Sequence, residues 1–391
     1  MRPARWLCAI LIFIATAAQA AGPDAVARSN RLLWPDAMLS PAGFDRASRA
    51  EILAFAHQLA QTEDLNDETW RKRLHLREIE TAHLNKIRGD LWQRLAKNYT
   101  TASALCSANE PFCPVAKDVN SFKRASKEFS APSDERYSPW YENAATFHRI
   151  YLDETLRLAA LFPRISSEVD TFNPAEFTGS EFPDRQFFLT FDDGPSTAGG
   201  NTEKLLAVLR RARLNATFFV LGSNLEARKD DSRGAAIDHL YTDMCVGMHG
   251  WEHKSHSNWT QWQDSVIRTT ELVHNQLAAE FTPLFRPPYG QRKADSGAFF
   301  ADHRLQVALW NIDSQDWNAM VSGDEAGQRV LTLMLLWRHG VILFHDIHSK
   351  AQIAVPYLLA QTQGSSVKWA ECRELQAAVR SEPSRRNNDR F

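Results

Sequence analysis

Apolar residues recur along this chain with two different periods, and the change falls near its middle. From about residue 45 to 162 they step by three and four. Ile52, Leu53, Phe55, Ala56 and Leu59 form one set, Trp70, Leu74, Ile79, Leu84, Ile87, Leu91 and Leu95 a second, and Phe147, Ile150, Tyr151 and Leu158 a third. Such steps place the apolar residues on one helical face, which predicts an all-helical N-terminal domain over residues 21–162. A polar stretch with Cys and Pro, residues 100–140, interrupts it. Residues 163–184, "PRISSEVDTFNPAEFTGSEFPD", carry neither period and read as a linker.

Beyond that point short β-rich runs alternate with helical segments. The runs are "QFFLTF", "ATFFVLG", "CVGMH", "LFRP", "LQVALWNI", "GVILFH" and "VKWA", and the helices between them include 201–213, 260–280, 324–338 and 351–362. Strand alternating with helix means a parallel sheet with crossover helices. About seven such units in residues 185–391 predict an α/β fold, a closed or nearly closed (β/α) barrel. A doubly wound open sheet is the alternative, but no G-x-G-x-x-G follows the first strand to make a dinucleotide site.

Charge changes this picture little. Lys and Arg number 45 against 47 Asp and Glu, for a net charge of −2. No block of like charge points to nucleic acid or an anionic membrane. The N-terminus says more: "MRPARWLCAILIFIATAAQAAG" sets Arg2 and Arg5 before an apolar run from Trp6 to about Ala17, then Ala18-Gln19-Ala20. This is the pattern of a signal peptide, residues 1–20, cleaved after Ala20, with an uncleaved anchor as the alternative. The mature protein is then expected to be exported, periplasmic or secreted, with no membrane span.

Export leaves Cys106, Cys113, Cys245 and Cys372. "CSANEPFC" reads as a disulfide-closed loop in an oxidising compartment. Cys245, in an apolar run, is open between a buried thiol and a bridge to Cys372. With no C-x-x-C, a cysteine zinc site is not expected. In the helical region His57, His75, His83 and His148 read as packed or solvated, and "YSPWY" at 137–141 as a packed loop rather than a sugar platform.

The strand ends are unusually polar. The first ends "TFDDGP" with Asp192 and Asp193, the third runs into "MHGWEH" with His249 and His253, and the fourth into "RPPYG" at 286–290. The fifth leads to "DSQDW" at 313–317, and the sixth ends "LFHD" with His345. In a parallel barrel, loops converge at the C-terminal ends of the strands, and chemistry gathers there. Taken alone, "MHGWEH" also fits the H-x-x-E-H string of inverted zinc peptidases. That reading needs a helix through both histidines, and Gly250 after a β-type run argues against one. His256 and His348 read as loop residues, and His339 as a cation at a helix end.

In order and spacing, these five strings resemble the polysaccharide deacetylases, the NodB-type carbohydrate esterase family, over about residues 185–375. The resemblance implies a distorted (β/α) barrel and removal of N-acetyl groups from a polysaccharide or oligosaccharide containing N-acetylglucosamine, releasing acetate. It implies Asp193, His249 and His253 as ligands of a divalent metal, zinc first with cobalt or manganese next. One carboxylate and two imidazoles leave a coordination position for water. Asp192 becomes the base, Arg286 its holder, His345 the general acid and Asp316 the partner that raises its pKa. The Tyr289 backbone N–H would donate to the oxyanion, and Trp317 and Leu343 would line the methyl pocket. Asp313 belongs to the string without a clear role. Gly250 departs from the family's Ser or Thr, whose hydroxyl ties the loop. Alternatives are an O-acetyl glycan esterase, the peptidase, and a non-catalytic glycan-binding protein.

Overall fold

The computed structural model describes residues 25–107, 109–162, 169–231, 237 and 239–375. The expected signal peptide, residues 1–20, lies outside the described residues. Among the described residues five α-helices come first: α1 (Pro41–Ala60), α2 (Asp67–Arg73), α3 (Thr81–Ala102), α4 (Val119–Lys127) and α5 (Ser138–Ala160). Ser40 caps α1 by accepting from the Gly43 N–H, with Pro41 in the first turn, where its missing N–H costs nothing. α1 packs against α3, α4 and α5, and this leaves Glu51 near its middle fully buried. Arg31, Trp140 Nε1 (2.8 Å) and His148 Nε2 (2.7 Å) satisfy that carboxylate, so the buried charge is paired and hydrogen-bonded.

The stretch "YSPWY" does not form a loop. It begins α5, and Tyr137 and Trp140 are buried against Trp34 and Phe112. An exposed sugar platform is therefore absent there.

The remaining elements are β1 (Glu176–Phe177), β2 (Gln186–Asp192), α6 (Asn201–Arg211), β3 (Thr217–Val220), α7 (Gly222–Asp231), β4 (Cys245–Met248) and α8 (Trp262–Gln276). After them come β5 (Phe281–Phe285), α9 (Gly297–Asp302), β6 (Gln306–Ala308), β7 (Ile312–Asp313), α10 (Gly323–Trp337), β8 (Gly340–His345), α11 (Ala351–Thr362) and β9 (Lys368–Trp369). All pairings are parallel, in the order β1-β6-β5-β4-β3-β2-β8-β7, with β9 also on β2. The sheet curls until the segment between β6 and β7 bonds to strands at its two ends: Leu309 N–H donates to Phe177 O on β1 (2.8 Å) and Asn311 N–H to Val341 O on β8 (3.4 Å), beside the edge strand β7. The fold is thus a distorted, nearly closed (β/α) barrel.

Among the described residues nine strands replace the expected seven or so. "LQVALWNI" divides into β6 and β7 where the chain crosses from one edge to the other, and the stretch read as linker contributes β1. A two-residue strand is too short to show a period.

Along β2 the pleat sends alternate residues to opposite faces. Phe187, Leu189 and Phe191 join the large core outside the barrel, and Phe188 joins a smaller cluster with Phe219, Leu284 and Leu343 inside it. The large core is continuous from the N-terminal helices into the barrel, through Phe55, Leu95, Leu331, Leu335 and Phe344. Polar ties cross the same seam: Ser48 Oγ donates to Leu335 O (2.6 Å), and Asn98 Nδ2 to Trp337 O (3.0 Å).

Both expected or open cysteine pairs are disulfides, Cys106–Cys113 and Cys245–Cys372. The second ties β4 to the segment after β9. Among the described residues no helix is long and apolar enough to cross a membrane.

Candidate active site

The inward face of β2 carries Phe188, Thr190 and Asp192, so a carboxylate follows two residues beyond a hydroxyl on the barrel axis side. Asp192 ends the strand, 2% exposed. Asp193 then takes a positive φ of 79°, a conformation aspartate tolerates better than most side chains. This turn lets adjacent carboxylates face one cavity, where strand geometry alone would send them apart.

Arg286, at the end of β5, is fully buried beneath Asp192. Its Nη1 donates to Asp192 Oδ1 (2.9 Å) and Thr190 Oγ1 (2.8 Å), its Nε to Ala308 O (3.0 Å) and its Nη2 to Leu309 O (3.0 Å). The guanidinium is therefore held by β2 and by the end of β6 as well as by the carboxylate.

His249 follows β4 directly, and its Nδ1 sits 2.7 Å from Arg286 O. Donation there leaves Nε2 with its lone pair toward the cavity, 3.4 Å from Asp193 Oδ1. His253 Nε2 lies 3.5 Å from the same oxygen. The three ligand atoms gather within 4.8 Å, and Asp193 Oδ1 is buried without a hydrogen-bond partner. An orphaned carboxylate oxygen facing two imidazole lone pairs is a donor set that fits a divalent cation. Burial, with His249 nearby, pushes the His253 pKa down to about 4, which keeps it neutral as a ligand must be.

The chain through "HGWEH" is a loop. Gly250 has φ +87°, and a Cβ there would stand 2.7 Å from His256 Cε1. His256 is buried under the loop against Phe285, away from the cleft. Ser265 Oγ on α8 accepts from the Trp251 N–H (2.7 Å). The tie that Gly250 was expected to lose is thus made by a hydroxyl from elsewhere. Glu252 pairs with Lys254 (2.6 Å) on the surface. Without a helix the inverted-peptidase arrangement does not form.

His345 ends β8 and is the register partner of Asp192. Asp316, completely buried, accepts from both its backbone N–H (3.0 Å) and its Nδ1 (2.7 Å). Burial alone would lower the histidine's pKa, but Asp316 outweighs it and the value rises to about 10. Tyr289 adopts φ 60° in the turn after Arg286, its ring edge-on to His253 at 4.4 Å. Its N–H makes no hydrogen bond among the described residues. Trp317 is 41% exposed at the rim, whereas Leu343 is buried. All these side chains except Arg286 and Asp316 line one cavity of about 1090 Å³.

Two residues in this region gave no signal in the sequence. Asp346 packs its carboxylate against Gly194, where a Cβ would meet Oδ2 at 2.1 Å. Burial, with Asp193 and Asp192 adding to it, pushes its pKa up to about 7 although Thr202 Oγ1 donates to it. Only its place after His345 in "LFHD" could have drawn notice. Arg329 on α10 donates to Asp313 O (2.9 Å), Ala27 O (2.9 Å) and Glu154 (2.7 Å), tying the 313–317 loop to α5. Asp313 itself accepts from the Gln315 N–H (2.7 Å) and shapes that loop.

The family model for polysaccharide deacetylase matches residues 179–308. A peptidoglycan-N-acetylglucosamine deacetylase of Bacillus cereus is 31% identical over 224 residues, 53% of this chain and 75% of that protein. Chitin deacetylase 1 of Saccharomyces cerevisiae is 32% identical over 195 residues, covering 47% and 59%. A bifunctional xylanase/xylan deacetylase of Cellvibrio japonicus is 33% identical over 165 residues, covering 40% and 22%. The chain belongs to the polysaccharide deacetylase family. The matched family span ends before Asp316 and His345, which the strings "DSQDW" and "LFHD" marked in the sequence and which the fold brings to the site.

Proposed function

We propose that this protein is a metal-dependent N-deacetylase of an extracytoplasmic glycan containing N-acetylglucosamine. The observation that carries the reading is the pairing of Asp192 with His345 across β2 and β8, beside the Asp193, His249 and His253 cluster. A divalent ion, zinc first with cobalt or manganese next, would bind through those three side chains and supply Lewis acidity and a water of lowered pKa.

The chain's own groups then divide the work. Asp192, with Oδ1 held by Arg286, takes the water proton at Oδ2. The water oxygen adds to the acetamide carbonyl carbon, and the Tyr289 N–H meets the oxyanion, a donor worth about 2.7–4 kcal/mol in such sites. His345, protonated because Asp316 fixes Nδ1–H, delivers its Nε2 proton to the amine as the C–N bond breaks. Acetate and a free amino sugar leave. Trp317 and Leu343 hold the methyl.

The names of the bacterial and yeast relatives support an acetylated amino-sugar polymer. Two disulfides fit an oxidising compartment, as does the N-terminal export pattern. The xylan deacetylase relative supports a second reading, O-acetyl ester hydrolysis by the same groups. Acetate release from chitooligosaccharides, peptidoglycan fragments and acetylated xylan, with and without chelator, separates the two. Glu252→Gln should leave any deacetylation within about twofold, since Glu252 is a surface ion-pair partner, whereas a peptidase base could not be replaced.

A further inference from the structure

The cavity does not end at the barrel. It continues under α3 and α5, where Arg94 and Tyr151 form its far wall with Trp337 at the end of α10. The Arg94 guanidinium lies 4.3 Å over the Trp337 ring, and the Trp337 Nε1–H donates to the Tyr151 hydroxyl (2.9 Å). A cation stacked on an anchored indole is held in place without its donors being consumed.

Other cations lining the cavity are occupied. Arg329 pairs with Glu154 (2.7 Å), Lys254 with Glu252 (2.6 Å), and Arg157 Nε donates to Leu74 O (3.3 Å). Among the described residues Arg94 alone of these forms no hydrogen bond or ion pair. Burial lowers its pKa below the ordinary arginine value, with Tyr151, Glu181 and Asp90 only partly opposing. Along the same lining, Trp310 Nε1 and Gln315 Oε1 are buried and unpartnered, a donor and an acceptor left for something else to satisfy.

We propose that Arg94, stacked on Trp337, binds a carboxylate carried by a sugar unit of the glycan whose acetamide lies at the catalytic end of the cavity. The inference rests on the deacetylase reading. A monoanion suits the site better than a phosphate dianion, because one guanidinium faces it and Asp90 and Glu181 stand nearby. Arginine is also the side chain whose fork matches a carboxylate in two parallel hydrogen bonds. Two chemistries supply such a group, a lactyl ether on an amino sugar and a uronic acid, and the test carries both. Arg94 lies on α3, outside the 179–308 span matched to the family, so the helical segment would set which polymer the barrel accepts.

The experiment compares wild type, Arg94→Met and Arg94→Lys in the full chain, with melting curves to show each is folded. Ligands are chitotetraose, a peptide-free tetrasaccharide of peptidoglycan, and an alternating uronate–N-acetylglucosamine tetrasaccharide. Kd is read by tryptophan fluorescence in chelator-treated protein, and KM for acetate release in metal-loaded protein. Arg94→Met should weaken one or both carboxylated ligands about tenfold or more and leave chitotetraose within about twofold, with Arg94→Lys between. Whichever carboxylated ligand responds identifies the source. Equal loss on neutral and charged ligands, or no loss on any, overturns the proposal. If the Kd split holds while no glycan releases acetate, the subsite stands and the deacetylase reading fails.

Discussion

Asp192 and His345 occupy opposed positions on neighbouring parallel strands, β2 and β8. The same register sets Phe188 beside Val341 and Thr190 beside Leu343, so the barrel interior below the pair is packed and the carboxylate and imidazole emerge together at its rim. The proposed proton acceptor and the proposed proton donor are thus placed by one strand pairing, at the ends of β2 and β8.

Arg286 is the support of that arrangement. It and Asp192 are both buried, and removing one member of such a pair leaves an uncompensated charge, costing about 3–5 kcal/mol. Arg286→Met should lower the unfolding free energy by that order, read as a lower urea midpoint with unchanged slope, and abolish activity. Arg286→Lys should not restore activity, because a single ammonium cannot reach Asp192, Thr190, Ala308 and Leu309 together.

His345 predicts a pH dependence. Its folded pKa, about 10, lies above the ordinary histidine value of 6.5. The protonated form is therefore favoured by folding, and that stability is complete below pH 6.5 and lost as pH rises through about 10. Chelator-treated protein should lose stability over this range, and Asp316→Asn should flatten that slope. Asp316→Asn should also lower kcat by about a hundredfold or more and move the alkaline limb of its pH profile downward.

Gly250 tests whether the family's hydroxyl would help here. Its φ of +87° and the 2.7 Å approach of His256 to a Cβ mean that Gly250→Ser adds strain of about 1–3 kcal/mol rather than a useful hydrogen bond. Calorimetry should show a lower Tm, and isothermal titration a weaker affinity for zinc. Gly250→Ser with His256→Ala should recover part of the Tm, since the steric half of the conflict is gone.

The strand ends were legible because short, near-continuous apolar runs of β-rich composition stop abruptly at polar or charged residues, and Asp192, His249, Arg286 and His345 each stand at such a stop. What local pattern could not carry was anything set by distant packing. Cys245 meets Cys372 across 127 residues, Ser265 reaches the 249–253 loop from the next helix, and Asp346 fits under Gly194 only because β2 and β8 pair. The helical region read as a domain of its own. Yet Arg94, Tyr151 and Glu154 reach the cavity or the loop that carries Asp316, because α10 sits between the two sets of helices and shares its apolar surface with both.

Acetate release from N-acetylglucosamine oligomers, followed through chelation and readdition of zinc, cobalt or manganese, is the most direct measurement. The account predicts release that stops with the chelator, returns with the ion, and is absent in Asp192→Asn under either condition. Release that survives chelation, or that persists in Asp192→Asn, would contradict it.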